Sequence, residues 1–211
     1  MNKKKSKSIL KEKKLPNRLA LAVMVVVFLT TGFVFPQDAV TAKADDLQAP
    51  PPSFAKFDVG MTQTMLDIFN SPIMKAVRDL TADEMGGYVF ETLKISYFTT
   101  DRTIEEVTDY FTEKLGQEAE IETDVLVDSP EEMREMEEMT GLSWSNDFMD
   151  RYQKAHEDYI GEESRKATYS QGSYTEKLVT IEIESPYLDP SSFKKVNKTS
   201  IMYMVISLKK K

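Results

Sequence analysis

The sequence predicts an α+β domain in which a mostly antiparallel sheet carries helices packed on one face. Strand and helix patterns follow one another irregularly, and three strand patterns fill the C-terminal part of the chain. No internal repeat is present in the sequence. A basic and then apolar segment precedes this region, and it predicts a signal peptide or an N-terminal membrane anchor.

The stretch 87–116 carries the clearest local signals. Residues 88–99 are rich in aromatic and β-branched types on both faces, which is typical of a strand covered on both sides. Thr103 and Glu106 have the spacing of a capping box, in which each side chain accepts a backbone N–H of the other residue. Apolar residues then recur at helical spacing as far as Gly116, which predicts an amphipathic helix resting on the sheet.

Capping residues mark two further helices after this stretch. Ser129 is followed by Pro130 at the first helical position and by Glu132 three positions on, which predicts a second capping box. Gly141 is placed to end that helix. Asn146 is predicted to cap the next helix, whose apolar residues cluster towards one side.

The remaining elements are predicted at these positions: helices over 61–69 and from Ser71-Pro72 onwards, and strands over 121–127, 165–170, 174–184 and 199–208. The last strand is apolar on both faces, which predicts a central place in the sheet. Alternation in the strand before it predicts two sets: Val179, Ile181 and Ile183 inward, and Thr180, Glu182 and Glu184 outward.

The N-terminal segment has the composition of an export signal. The first 18 residues hold eight Lys or Arg against one acid, and residues 19–35 then run for 17 residues without a charge. Residues 42–44, Ala-Lys-Ala, have the small-x-small form of a signal-peptidase site. We favour cleavage after Ala44 over an uncleaved anchor, and either outcome places the rest of the chain outside the cytoplasmic membrane, in the periplasm or at the cell surface.

These signals divide the chain into three parts. Residues 1–44 are the signal peptide or membrane anchor, and residues 45–56, which include three consecutive prolines, are a short linker. Residues 57–211 then form a single α+β domain. Its length is sufficient for one core of ordinary size.

Composition restricts the chemistry of this domain. The chain has no cysteine, which excludes disulfides, thiolate metal sites and cysteine nucleophiles. Residues 1–44 carry nine Lys or Arg and two acids, which leaves 18 basic and 33 acidic residues and a net charge of −15 in the remainder. Such a domain should repel nucleic acid and anionic lipid, so a membrane contact is expected only through an uncleaved segment 19–35. Two explanations are compatible with this charge: good solubility alone, or a partner that is a cationic protein or another envelope component.

The sequence contains no recognised catalytic motif. His156 is the only histidine, and although His156-Glu157 begins like a zinc-protease motif, Ile160 stands where the second ligand should be. Phosphate-cradling loops, dinucleotide fingerprints and Gly-x-Ser-x-Gly elbows are absent from the sequence. Paired carboxylates could serve a hydrolase, but close pairs arise by chance among so many acids. We therefore assign no catalytic, cofactor-binding or metal-binding residue.

One methionine pattern permits a sharper hypothesis. Met133, Met136 and Met139 are spaced along one helix, and thioethers are soft ligands that suit Cu(I). The same spacing equally describes an apolar edge that packs on the core. A third interpretation is an adaptable groove for a partner, and the ten acids between 118 and 138 would favour a basic one.

Part of the chain resembles a pattern in small exported bacterial domains of unknown function. The run 97–101, Tyr-Phe-Thr-Thr-Asp, ends a strand, and the following helix carries its apolar stripe at these positions: Val107, Tyr110, Phe111 and Leu115. The resemblance covers about thirty residues and consists of capping and core positions. It implies an exported α+β module without known catalytic residues.

The combined expectation is a non-enzymatic binding or accessory domain in the cell envelope, with no cofactor. Two alternatives stay open at this point. The first is a Cu(I)-binding protein that uses the Met133 helix, and the second is a hydrolase that depends on carboxylates.

Overall fold

The structure is a computed structural model that describes residues 49–84, 88–172 and 177–210. The predicted signal peptide or anchor, residues 1–44, lies outside the described residues. Within the described ranges, no helix has the length and apolar character needed to cross a membrane.

The elements of the fold follow in this order: β1 (Lys56–Phe57), α1 (Val59–Phe69), α2 (Pro72–Glu84), β2 (Tyr88–Thr100), α3 (Ile104–Leu115), β3 (Glu120–Val125), α4 (Pro130–Thr140), α5 (Asn146–Asp158), β4 (Glu163–Gly172), β5 (Leu178–Ser185), β6 (Tyr187–Asp189), β7 (Lys194–Val196) and β8 (Thr199–Lys210).

Six of these strands form one antiparallel sheet in the order β1-β2-β8-β5-β4-β3, and β6 pairs with β7 in a separate hairpin. The prediction of an α+β fold with a mostly antiparallel sheet is confirmed. β8 lies between β2 and β5 and pairs with both, as expected for a strand that is apolar on its two faces.

α3 covers one face of the sheet. Val107 and Phe111 are fully buried, and they pack against the inward residues of β4, β5 and β8. The sheet side of this core consists of the following buried residues: Ala167, Tyr169, Val179, Ile181, Ile183, Ile201, Tyr203 and Val205. The amphipathic stripe of the helix therefore rests on the sheet as its spacing predicts.

Helices also cover the opposite face. Ile95 of β2 and Met204 of β8 point there, because they alternate along their strands with Phe98 and Tyr203 of the first core, and both are buried. α1 and α2 lie against β2, and these helices bury an apolar set of their own: Met61, Phe69, Ile73, Met74 and Val77. The expectation that helices pack on one face only is wrong, because β2 and β8 are apolar on both faces and each face needs cover.

The segment before the first helix packs against the domain. Ala49 is fully buried, and Phe54 contacts the core beneath α3. The Tyr110 hydroxyl donates a hydrogen bond to the carbonyl of Pro50 at 3.0 Å. Lys56 already belongs to β1, where it pairs with Thr99. The described part of the segment 45–56, which the sequence predicts to be a linker, is therefore packed against the domain.

Two predicted helix starts differ in detail. The Ser129 hydroxyl accepts from the N–H of Glu131 at 3.3 Å, whereas the predicted capping box places this bond at Glu132. Ser145, rather than the predicted Asn146, caps α5, and its hydroxyl accepts from the N–H of Phe148 at 3.2 Å. Serine and asparagine cap equally well, so the sequence alone leaves the start uncertain by one residue.

The capping box that begins α3 is formed as predicted, and it should contribute measurably to stability. The Thr103 hydroxyl accepts from the N–H of Glu106 at 3.3 Å, and the Glu106 carboxylate accepts from the N–H of Thr103 at 3.0 Å. Thr103→Ala is expected to lower the free energy of unfolding by about 1 kcal/mol in a urea titration. Thr103→Ser keeps the hydroxyl and should stay close to the wild type; equal losses in both variants would contradict a capping role.

Candidate functional site

A cleft of about 620 Å³ opens between the α1–α2 turn and the start of α5. Its size falls within the range of small-ligand pockets. The exposed surface of the lining is mostly apolar. The lining comes from α1, the α1–α2 turn, α2, the α4–α5 loop, α5 and the β6–β7 loop, with these residues: Thr64, Asp67, Ile68, Ser71, Pro72, Ile73, Ser143, Trp144, Ser145, Phe148, Arg151, Pro190, Ser191 and Phe193. We refer to this surface as the aromatic cleft.

One wall of the aromatic cleft is a stack of aromatic rings. The rings of Trp144 and Phe148 are stacked with centroids 4.8 Å apart, and Phe193 meets Phe148 edge-on at 5.3 Å. Tyr152 lies behind them, 5.9 Å from Phe193, and belongs to a small core with Leu126 and Val127. Such ring pairs hold one another in place, so the wall is pre-formed.

Phe193 is held in an unusual backbone conformation. Its φ of 53° lies in the left-handed region, which costs a non-glycine residue about 1–3 kcal/mol. Asp189 stabilises the turn, because its carboxylate accepts hydrogen bonds from the Ser191 N–H at 2.8 Å and from the Ser192 hydroxyl at 2.9 Å. Burial raises the pKa of Asp189, but these hydrogen bonds outweigh it and leave that pKa below its usual value. Strain of this kind is often found where a side chain must be presented for function.

Among the described residues that line the cleft, Arg151 and Asp67 are the two that carry a charge. The Arg151 guanidinium lies 5.0 Å from the centre of the Phe193 ring and donates a hydrogen bond to the carbonyl of Ser191. This cation–π contact fixes the arginine beside the aromatic wall. The described lining of the cleft therefore offers a large apolar surface, a few hydroxyls, one arginine and one acid, and it contains no pair of facing carboxylates of the kind that a glycosidase-type hydrolase needs.

The three methionines of the copper hypothesis lie in different surroundings. Met133 is partly buried and packs against Leu126, Val127 and Tyr152. Met136 is half-buried, whereas half of the Met139 surface is exposed. The exposure of the three side chains thus increases from Met133 to Met139. This favours the packing interpretation over a site in which three thioethers bind one ion. In the described part of the chain, no group of three or more His, Asp or Glu side chains has an arrangement that could hold a metal ion.

A second group of functional interest lies on the sheet face opposite α3. Glu182 and Glu184 alternate along β5 with core residues, and Lys166 of β4 pairs directly with Glu184. The Lys166 ammonium lies 3.5 Å from the carboxylate of Asp124 on β3. We name these four residues the acid–lysine cluster. Glu182 and Glu184 point away from the core beneath α3, as the alternation predicts, but both are half-buried rather than open to solvent.

Burial dominates the electrostatics of the acid–lysine cluster. It raises the pKa of Glu184 to about 7 against an attraction to Lys166, and it also raises the pKa of Glu182. Burial lowers the pKa of Lys166, but Glu184 and Glu182 outweigh it and leave that pKa above its usual value. Carboxyl groups with a raised pKa can serve as acids or bases, yet neither glutamate lines the aromatic cleft. No sequence motif marks this group, since its members come from three strands.

His156 also lies apart from the cleft. It is half-buried near the C-terminal end of α5, and Ile160, at the position of the missing second zinc ligand, is 73 % exposed. The described structure therefore gives the single histidine no partner for metal chemistry. No protein-family model, curated protein or solved structure matches this chain.

Proposed function

We propose that this chain is a non-catalytic binding domain of the cell envelope, and that the aromatic cleft holds an apolar or aromatic side chain of a partner protein. The observation that carries the proposal is the pre-formed aromatic wall, in which Phe193, held in a strained conformation, packs edge-on against Phe148, and Phe148 stacks on Trp144 beside the open cleft. Burial of one large apolar side chain in such a cleft is worth about 1.5–3 kcal/mol. The surrounding hydroxyls and Arg151 would orient the segment that carries it.

The envelope location is supported by the N-terminal pattern, a basic flank before 17 uncharged residues. A periplasmic reporter enzyme fused to the C-terminus should be active in intact cells. N-terminal sequencing of the protein should begin after Ala44 if the signal is cleaved. A reporter that stays inactive and cytoplasmic would overturn this part of the proposal.

The cleft can be tested with peptides, because Trp144 is the only tryptophan and lies in the wall. A library of random peptides displayed on phage, selected on the purified protein, is expected to enrich sequences with an aromatic or large aliphatic anchor. A synthetic copy of an enriched peptide should change the emission of Trp144 as it binds. Failure to enrich any such sequence would contradict the proposal.

A matched pair of variants locates the binding surface. Ile68→Lys places a charge in the apolar lining of the cleft and should weaken peptide binding by about tenfold or more, because the ligand would bury an ammonium group. Ile160→Lys introduces the same side chain at a position that is 73 % exposed and outside the cleft, and it should bind as the wild type does. Equal binding by both variants would place the site elsewhere.

A further inference from the structure

β3 is an edge strand of the sheet. Among the strands of the described residues it stands last in the order, and it pairs with β4 in continuous register from Glu120–Thr168 to Val125–Glu163. Every residue of β3 is exposed except Asp124, which is half-buried. An exposed edge of this kind presents backbone groups that can pair with another chain.

The register shows which backbone groups face outward. The N–H of Leu126 donates to the carbonyl of Glu162 at 2.9 Å, which continues the β3–β4 ladder by one more pair. Hydrogen-bonded pairs alternate in an antiparallel ladder. The backbone N–H and C=O groups of the even-numbered residues of β3 therefore bond to β4, and those of the odd-numbered residues point away from β4. The outward N–H of Val125 is bonded to the Asp124 carboxylate at 2.8 Å. The pairing surface therefore centres on Ile121 and Thr123.

The side chains of β3 specify the chemistry of a matching strand. On one face, Ile121 is 54 % exposed and Val125 is 38 % exposed. On the other face, the strand carries an acid at each position: Glu120, Glu122 and Asp124. A strand added beside β3 would place its own residues next to these two rows, where pairs of opposite charge each contribute about 0.2–1 kcal/mol and pairs of like charge oppose association.

The same geometry disfavours a second copy of this chain. Only odd-numbered residues offer outward backbone groups, so a copy of β3 added in antiparallel orientation would pair odd positions with odd and even positions with even. Each acid of one strand would then lie beside an acid of the other. The net charge of −15 outside residues 1–44 adds to this repulsion.

We propose that β3 is a docking strand for an extended segment of a partner protein in which Lys or Arg alternates with apolar residues. The segment adds a strand to the sheet through the backbone of Ile121 and Thr123. Its basic residues lie beside Glu120 and Glu122, since Asp124 is already paired with Lys166, and its apolar residues cover Ile121 and Val125. Backbone bonds provide the affinity and the alternating side chains provide the specificity, as in other cases of strand addition.

The probe for this proposal is the synthetic peptide acetyl-KVKIKTK-amide, titrated into the purified protein. Binding is expected to weaken strongly in about 0.5 M NaCl, since ion pairs at an exposed edge are screened. The peptide EVEIETE should not bind. In amide exchange measured by NMR, the N–H groups of Ile121 and Thr123 should become protected when KVKIKTK is bound. An absence of protection at both positions would overturn the proposal.

A pair of variants separates strand addition from adsorption of a basic peptide on an acidic surface. Thr123→Pro removes the outward N–H and should weaken KVKIKTK binding by about tenfold or more, because proline cannot donate to a ladder. Thr123→Ala keeps that N–H and should bind as the wild type does. Equal binding by both variants would mean electrostatic adsorption only, and a dimer of the free protein that Thr123→Pro dissolves would mean that a second copy occupies the edge.

The test is independent of the aromatic cleft. Ile68→Lys should leave KVKIKTK binding unchanged, because Ile68 lines the cleft and does not belong to β3. Loss of cleft binding in that variant, together with normal binding at β3, would show two separate surfaces. Loss of KVKIKTK binding in Ile68→Lys would instead assign the peptide to the cleft and overturn the docking strand.

Discussion

Replacing Phe111 with alanine is expected to lower the free energy of unfolding by about 3–5 kcal/mol, the usual cost of deleting a buried phenylalanine side chain. Phe111 is fully buried between α3 and the sheet. Its ring contacts three others, with centroid distances of 5.1 Å to Tyr110, 5.8 Å to Tyr169 and 6.0 Å to Tyr203. Alanine would leave a cavity among these rings that the sheet cannot close.

Urea unfolding, followed by circular dichroism, measures this loss. Glu113→Ala lies on the same helix, where the Glu113 side chain is 79 % exposed, and should stay within about 0.5 kcal/mol of the wild type. If Phe111→Ala does not fold, Phe111→Leu keeps most of the volume and should show a smaller loss in the same direction. A Phe111→Ala variant as stable as Glu113→Ala would contradict the packing of α3 on the sheet.

The sequence predicts this part of the fold well because its signals are local. The capping box at Thr103, the apolar stripe of α3 and the left-handed Gly116, with φ of 66°, all depend on residues within one helix. The same holds for Gly141, which ends α4 with φ of 68°. Each signal reports a backbone requirement that a few neighbouring residues satisfy, so no knowledge of the tertiary structure is needed.

The features that the sequence does not predict depend on distant parts of the chain. The left-handed Phe193 lies in a turn that asparagine or glycine would ordinarily mark, and packing against α5 holds it there. The aromatic cleft combines α1 with α5, which are separated by more than 70 residues. Neither contact leaves a periodic pattern in the sequence.

The acid–lysine cluster shows the same limitation in a different form. The alternation of residues along β5 predicts one buried face and one solvent-exposed face, and it places Glu182 and Glu184 on the exposed face. The burial of these glutamates is indicated by the neighbouring strand instead, because β8 is apolar on both faces and its buried Met202 pairs with Glu182. When both faces of a central strand are covered by packed residues, part of the neighbouring strand is covered as well, whatever the pattern of that neighbour.

Covering those carboxyl groups should make stability depend on pH. Raising the pH from about 5 to about 8 is expected to lower the free energy of unfolding by about 2–3 kcal/mol through Glu184. Burial raises the pKa of Glu184 from 4.5 to about 7 in the folded protein, so the folded state binds more protons than the unfolded state within this window. Stability is then greatest below the unfolded pKa and declines as the pH rises through the folded one. Glu182, whose pKa is also raised by burial, contributes in the same direction.

Glu184→Gln tests this assignment, because glutamine keeps the shape of the side chain without a charge to bury. The advantage of the variant over the wild type should grow by about 2–3 kcal/mol from pH 5 to pH 8, as measured by urea unfolding at both values. Glu120→Gln removes an exposed acid from β3 and should leave the pH dependence unchanged. Carboxylates with lowered pKa values, such as Asp101 and Glu106, lose their contribution only at more acidic pH and do not disturb the comparison. A Glu184→Gln variant that retains the full decline between pH 5 and pH 8 would show that Glu184 is ionised in the folded protein throughout this range, with Lys166 compensating for the burial of its charge.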